Sequence, residues 1–459
     1  MKRFRLLRVI ASIVLAVSFL GLTSASAAPS PPRAPVAPRG TAAPRGRAAP
    51  ASPKATGFWA NIPAPTGAPE RPLFGVATAA SNDAWAVGGA ISATVAMGSA
   101  AQVYHWNGTL WSAVTNTTYL TLEHVALIPG VADQAIAVGQ NEAYIGEQGS
   151  FPGLVETCEV TGTIDHCTRD STVPATVNPT QDQVKELDGA SALSATDYWA
   201  VGGGGGYAPY PEYGVILHHT ASGWTSVSLS QTLPVTTSIP ATVTLPSVHY
   251  WGVQMLSDGE GWAVGDGQNS SAPGTIIHYT PATAAVSGTW SLVKTGLTFS
   301  GPLHAVWFTS PLEGWVVGGN ISTHPVILHY KASATPQWST EGVSSLPLAV
   351  NGETQLWAVD MLPDGSGYAA GNDGQVLYRS TIDASEGISP TWSSVFTDCG
   401  SPSSNTCTYP PLYGVSVTPD GKKGWAGGGN YDDVPRFDEM TMGTLGPYWQ
   451  WLPTLEKNP

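Results

Sequence analysis

A short segment built on Trp-Ala-Val-Gly returns seven times along the chain, and no other feature restricts the fold as much. Its copies are Asp83-Ala84-Trp85-Ala86-Val87-Gly88, Ala135-Ile136-Ala137-Val138-Gly139, Tyr198-Trp199-Ala200-Val201-Gly202, Gly261-Trp262-Ala263-Val264-Gly265, Gly314-Trp315-Val316-Val317-Gly318, Gly367-Tyr368-Ala369-Ala370-Gly371 and Gly424-Trp425-Ala426-Gly427-Gly428. The closing glycines lie 51 to 63 residues apart, the length of a four-stranded propeller blade with its loops. An apolar-x-x-Val run precedes each copy, ending at Val76, Val125, Ala190, Val253, Val306, Val359 and Val415, 9 to 11 residues before the motif aromatic. Asp258-Gly259, Asp364-Gly365 and Asp420-Gly421 stand between the two columns as tight-turn dipeptides.

After each motif comes a loop, then an alternating run such as Ile216-Leu217-His218 or Ile327-Leu328-His329, then a fourth strand opened by Trp111, Trp224, Trp290, Trp338 or Trp392. The pattern predicts an all-β protein, a seven-bladed β-propeller with four-stranded antiparallel blades. Charged residues make up only 11% of the chain, against about 25% in an average domain, which excludes helical bundles, coiled coils and charge-rich disorder. The motif Trp is expected in the core, Ala where the next blade packs closely, and Gly where the chain turns out of the strand. His105, His218, His278 and His329 hold equivalent places in different blades, which predicts a structural role rather than a shared metal. The ring is closed either by Gly57-Phe58-Trp59-Ala60-Asn61-Ile62 or by Tyr448-Trp449-Gln450-Trp451, each of which fits a fourth strand.

The amino terminus reads as an address. Lys2, Arg3, Arg5 and Arg8 precede a 14-residue apolar run from Val9 to Leu22, and Ala25-Ser26-Ala27 supplies a small-residue cleavage pattern. Residues 1–27 are therefore expected to be a secretory signal peptide, cleaved or kept as an anchor. Residues 28–54 form a basic Pro/Ala-rich linker, and residues 55–459 the propeller. The first 54 residues hold nine of the 19 Lys and Arg and none of the 33 Asp and Glu. The propeller is thus strongly acidic, which argues against nucleic acid as a partner. The basic linker could associate with an anionic cell envelope. In an oxidising compartment Cys158 would pair with Cys167 and Cys399 with Cys407.

The Gly-Trp-Ala-Val-Gly core, the preceding apolar-x-x-Val and the Trp-led strand resemble the seven-bladed propellers of the photosystem II stability and assembly factor type, within the sialidase-type (BNR, Asp-box) repeat group. The resemblance covers about residues 57 to 453. Degenerate Asp-box turns survive at Ser287-Gly288-Thr289-Trp290, Ser222-Gly223-Trp224 and Asn107-Gly108-Thr109-Leu110-Trp111. It implies an exported propeller that binds proteins during assembly of a membrane complex.

Two residues before each apolar anchor stand Phe74, Glu123, Asp188, Trp251, His304, Trp357 and Tyr413. Strand alternation gives these seven a common facing and predicts that they gather near one mouth of the central channel. There they either plug the channel or form a ligand-binding ring, with aromatic faces for stacking and Glu123 and Asp188 to fix orientation. Asn141, Glu142, Asp266, Asn320, Asn372, Asp373, Asn430, Asp432 and Asp433 are expected on one loop rim, a second surface on which function could sit. No cofactor and no metal site is assigned. The expected function is an exported or cell-surface module, monomeric, binding protein or glycan. The alternative is an extracellular glycoside hydrolase or polysaccharide lyase using Glu123 and Asp188 as its acid/base pair.

Overall fold

A computed structural model describes residues 58–441 apart from 66–70, 90–100, 116–120, 141–152, 177–183, 205–212, 233–241, 268–271, 320–324, 343–354, 382–389, 397–410, 430–435 and breaks of one to three residues. The signal peptide, the linker, Cys399, Cys407, Trp449 and Trp451 lie outside the described residues, as do Asn141, Glu142, Asn320, Asn430, Asp432 and Asp433 of the loop rim. Among the described residues helix is confined to one turn, Asn372–Gly374. The strands form five four-stranded sheets, one eight-stranded sheet and the two-stranded pair Ser230–Thr232 and Thr242–Thr244, which the repeat did not announce. The eight-stranded sheet consists of two four-stranded runs joined through the single pairing of Glu186 with Gln140.

Each repeat begins with an inner strand. These are Leu73–Ala80, Thr121–Leu127, Glu186–Ser194, Tyr250–Met255, Leu303–Ser310, Leu356–Met361 and Leu412–Val417. Each packs beside the next in chain order, and Leu412–Val417 returns to pack beside Leu73–Ala80. The result is a closed β-propeller with four-stranded antiparallel blades.

The last blade shows how the circuit closes. Its third strand, Arg436–Thr441, pairs with Phe58–Ile62 from the start of the fold, so an N-terminal strand completes a C-terminal sheet. Trp59 is buried there and meets Tyr368 of the preceding blade edge-on, with ring centroids 5.4 Å apart.

The motif column is core throughout: Trp85, Trp199, Trp262, Trp315, Tyr368 and Trp425 are all buried. The recurrent strand-three histidine stacks on the motif Trp of its own blade, as in Trp199 with His218 at 3.9 Å and Trp315 with His329 at 4.6 Å. Its Nε2 meets the carboxylate that opens the motif, with His105 to Asp83 at 3.2 Å, His218 to Asp197 at 2.8 Å and His329 to Glu313 at 3.0 Å. Each pair ties two neighbouring strands within one blade. In the second blade, which has no such Trp or His, Cys158 and Cys167 sit opposite each other on paired strands and form a disulfide.

The motif glycine has a different cause from the one expected. None of the seven has a positive φ: Gly139 and Gly202 lie within their strands, and the other five are the last residue of theirs, where the chain leaves the strand as expected. A Cβ there would collide with the backbone carbonyl of Pro72, Thr121, Glu186, His249, Pro302, Gln355 or Pro411, just before the inner strand's buried Leu or Tyr. Close backbone approach, not a left-handed backbone conformation, demands glycine. The Asp-Gly dipeptides are turns as expected: Gly259, Gly365 and Gly421 have positive φ, and the Asp side chain accepts the N–H two residues on.

Because Phe58–Ile62 fills the fourth-strand position of the last blade, Trp59→Ala should lower unfolding stability by about 3–5 kcal/mol. Trp451→Ala should leave it within about 0.5 kcal/mol of the parent. Guanidinium unfolding followed by far-UV circular dichroism measures both.

Candidate functional site

Phe74, Glu123, Asp188, Trp251, His304, Trp357 and Tyr413 all line one central cavity of about 780 Å³. The backbone that puts them there is a β-bulge repeated in every blade. Leu73 pairs with Gly88 and Gly75 with Val87, leaving Phe74 unpaired between them. The same register shift leaves out Glu123, Asp188, Trp251, His304, Trp357 and Tyr413. Simple alternation was therefore the wrong reason for a correct grouping: each ring residue is the extra residue of a bulge, re-aimed by the local kink. The residue before it, Leu73, Leu122, Leu187, Tyr250, Leu303, Leu356 or Leu412, is fully buried between blades.

The wall is sorted by chemistry. Phe74 lies 5.2 Å from Tyr413, Tyr413 5.6 Å from Trp357, Trp357 4.2 Å from His304, and His304 5.8 Å from Trp251, all between ring centroids. These rings form one continuous arc over five consecutive blades. Trp251 and Trp357 are half-buried, whereas Phe74 and His304 are buried. The indole N–H of Trp251 donates to Asp266 at 2.8 Å, and that of Trp357 to Asn372 at 2.7 Å. Asp266 and Asn372 directly follow motif glycines, so these two rim positions serve to hold ring aromatics.

The two remaining blades supply acids. Glu123 accepts from the amide of Gln140, again the residue after a motif glycine, at 3.1 Å. Asp188 Oδ2 lies 2.7 Å from His249 Nε2. Burial pushes the His249 imidazolium down, but Asp188, with Glu186 and Asp266 nearby, outweighs it and lifts the pKa to about 9. His249 in turn stacks on Trp251 at 4.3 Å, which joins the acidic and aromatic arcs. Gly203 makes room for this imidazole, since a Cβ there would strike it. His304 differs: burial holds its pKa down at about 4, against a hydrogen bond between Nδ1 and the Leu356 carbonyl. His124, beside Glu123, is likewise held at about 4 by burial.

His249 and Glu186 were missed in the sequence. Both stand two residues before a ring residue, in the column whose carbonyls abut the motif glycines, and extending the ring search by one step would have found them. Glu186, Asp188 and His249 bring ligand atoms within 4.8 Å of one another, as do Asp83 and His105 of the first blade with Asp133 of the second. A metal at the first cluster would have to displace the proton that Asp188 holds on His249. The second belongs to the carboxylate–histidine–tryptophan stack.

Farther along the cavity a second ring joins blade to blade. The residue after the apolar anchor bonds the backbone of the next inner strand. Ser191 Oγ accepts the Met255 N–H at 2.9 Å, Trp307 Nε1 donates to the Met361 carbonyl at 2.9 Å, Asp360 Oδ2 accepts the Val417 N–H at 2.8 Å, and Ser416 Oγ accepts the Thr78 N–H at 3.0 Å. Gln254 makes the equivalent pair of bonds to Phe308. Burial pushes the Asp360 carboxyl up to about 7, against the hydrogen bonds it accepts.

No family model matches the sequence, and no curated protein matches it. The resemblance to photosystem II assembly factors and Asp-box repeats therefore rests on the repeat residues alone. Among solved structures the chain is similar to the WD40 β-propeller domain of Doa1, at 9% identity over 83% of this chain and 95% of that one, with a TM-score of 0.48. It is similar to the RRP9 WD40 repeats at 8% identity over 84% and 98%, TM-score 0.46. Sqt1 of Chaetomium thermophilum, bound to the N-terminus of ribosomal protein L10, matches at 10% identity over 78% and 82%, TM-score 0.44.

The cavity histidines set the pH dependence of stability. His249, raised from 6.5 to about 9, contributes stability that is complete below pH 6.5 and lost as pH rises through 9, roughly 3 kcal/mol in all. His304 and His124, lowered to about 4, are neutral in the fold and protonated when unfolded, so stability falls as pH drops from 6.5 to 4. Asp360, raised from 3.8 to about 7, opposes them over much of that window, one group against two. Urea midpoints measured against pH should peak near 6.5, and His249→Gln should flatten the alkaline limb while leaving the acid limb.

Proposed function

We propose that the chain is an exported or cell-surface seven-bladed propeller that works as a binding module, receiving a segment of a partner protein at the mouth of its central cavity. One observation carries the reading. A continuous arc of aromatic rings faces a cluster of carboxylates across a cavity within the range of ordinary ligand sites, about 300–1,000 Å³. Apolar area with a few fixed polar groups is what binding of a shaped ligand requires. Glu123 and Asp188 are each bonded to a neighbouring wall group, an arrangement suited to fixing a ligand more than to relaying protons. Seven inner strands in one closed circuit, with four strands in each repeat, support the blade number. The basic, apolar amino terminus and the Cys158–Cys167 disulfide support export.

Glycan is the second reading, favoured by the half-buried faces of Trp251 and Trp357, against which a sugar could stack. Both readings are tested by one comparison. The protein and its Trp251→Ala/Trp357→Ala variant are screened against a peptide library and a glycan array, with melting temperatures checked alongside. The double variant should lose binding by roughly 10- to 100-fold, the loss of two aromatic contacts, while still folding. Undiminished retention would move the site away from the cavity. Release of cleaved products from a retained glycan would instead establish the hydrolase or lyase alternative.

A further inference from the structure

We infer that Asp83, His105 and Asp133 form a site for one divalent cation of the zinc class, seated between the first and second blades. Asp83 opens the strand Asp83–Gly88, and His105 lies on its neighbour Gln102–Trp106, both in the first blade. They are that blade's stacked carboxylate–histidine pair. What is added is Asp133, at the end of the turn before Gln134–Gln140 in the second blade. His105 Nε2 lies 3.2 Å from Asp83 Oδ1 and 3.8 Å from Asp133 Oδ1, so two carboxylates converge on one ring nitrogen. A single N–H serves one of them, and 3.8 Å is beyond hydrogen-bond reach. The other blades arrange their pairs differently. Among the described residues His218 meets Asp197 alone and His278 meets Glu260 alone, while His329 uses a separate nitrogen for Glu313 and for Glu341.

The spacing suits donors around an ion. Bonds of about 2.0–2.1 Å at tetrahedral angles put neighbouring donors about 3.3 Å apart, between the two separations seen here. The supports are also in place. Asp83 Oδ2 accepts the Asp133 N–H at 3.1 Å, which fixes the carboxylate and the turn together, and the Asp133 carbonyl accepts from Val160 at 3.0 Å. His105 is held by its stack on Trp85, with centroids 4.6 Å apart. Asp83 and His105 are buried, whereas the Asp133 side chain is half exposed, so the ion enters from that side and keeps water in its fourth position. On binding, Nε2 gives its proton to solvent and the ion takes that place, tying the second blade's turn to two strands of the first. One imidazole with two carboxylates suits zinc or cobalt, while calcium takes six to eight oxygens. Glu186, Asp188 and His249 offer the same donor types, but their 2.7 Å hydrogen bond is shorter than the spacing of donors around one such ion.

The probes are Zn²⁺, followed by calorimetry, and Co²⁺, followed by its visible absorption, each titrated into the whole protein after treatment with a chelator. The site should take up one ion, give cobalt the strong absorption of a four-coordinate centre, and raise the melting temperature as Zn²⁺ is added in excess. Asp133→Asn keeps the side-chain shape and tolerates the left-handed backbone at φ 58. It should weaken both ions by at least about tenfold and leave the melting temperature of the metal-free protein where it is. Asp133→Gly, which suits the same backbone, is the second variant should the first melt early. Glu186→Gln should change neither titration. No binding of either ion, or binding that survives both Asp133 variants, overturns the site, and a signal kept in those variants but lost in Glu186→Gln would put the ion in the cavity instead.

Discussion

The rest of the molecule depends on one backbone contact, the packing of the motif glycine against the carbonyl that precedes each inner strand's bulge. At Gly88, Gly139, Gly202, Gly265, Gly318, Gly371 and Gly428 there is no space for a Cβ. This close approach holds the second strand against the first at the point where the first carries its extra residue. The bulge then separates two neighbours. The Leu or Tyr before it goes into the packing between blades, and the residue at the bulge goes to the cavity. A propeller core and a cavity wall are therefore built by adjacent residues, and the glycine keeps them in register.

Side chains complete what the backbone begins. Within a blade, the motif carboxylate, the strand-three histidine and the motif tryptophan form a stack that joins the second strand to the third. Between blades, five inner strands reach the next through the residue after the apolar anchor. The two inner strands without such a bond carry Ala77 and Ala126 at that place, and both pack with their blades through core contacts. Glu341 adds a polar joint farther out, accepting from Arg379 at 2.6 and 2.8 Å and from Trp392 at 2.7 Å. Burial would raise its carboxyl, but Arg379 and His329 hold it near 2. A chain with few charges thus places some of them where a single carboxylate can bind two blades.

The fold was legible because a period of 51 to 63 residues with two fixed columns leaves few alternatives. The strand-four Trp, the Asp-Gly turns and the Cys158–Cys167 pair all follow from patterns that local physics enforces. The grouping of the seven cavity residues was legible for the same reason, since any column at constant offset in a closed repeat must gather at one level. Its cause was not, because a bulge leaves no mark in composition and alternation imitates it over two residues. His249 and Glu186 were hidden by context. Their column reads Pro72, Thr121, Glu186, His249, Pro302, Gln355 and Pro411, and three prolines suggest a strand start rather than a site. Closure by Phe58–Ile62 rather than by the terminal tryptophans was undetermined because both segments satisfy the same strand pattern.

Symmetry explains the scaffold, and the departures from it explain the site. At the position after the motif glycine, Gln140, Asp266 and Asn372 each fix a ring residue, while Gly203 opens the space that His249 occupies. The same backbone slot therefore holds a carboxylate in one blade, an indole in two others and admits an imidazole from the next blade in a fourth. Because the bulge presents one residue per blade whatever its chemistry, the wall can be sorted into an aromatic arc and an acidic arc without disturbing the strands that carry it. The fold fixes the positions of the cavity residues, and their identities alone set the chemistry that the cavity presents.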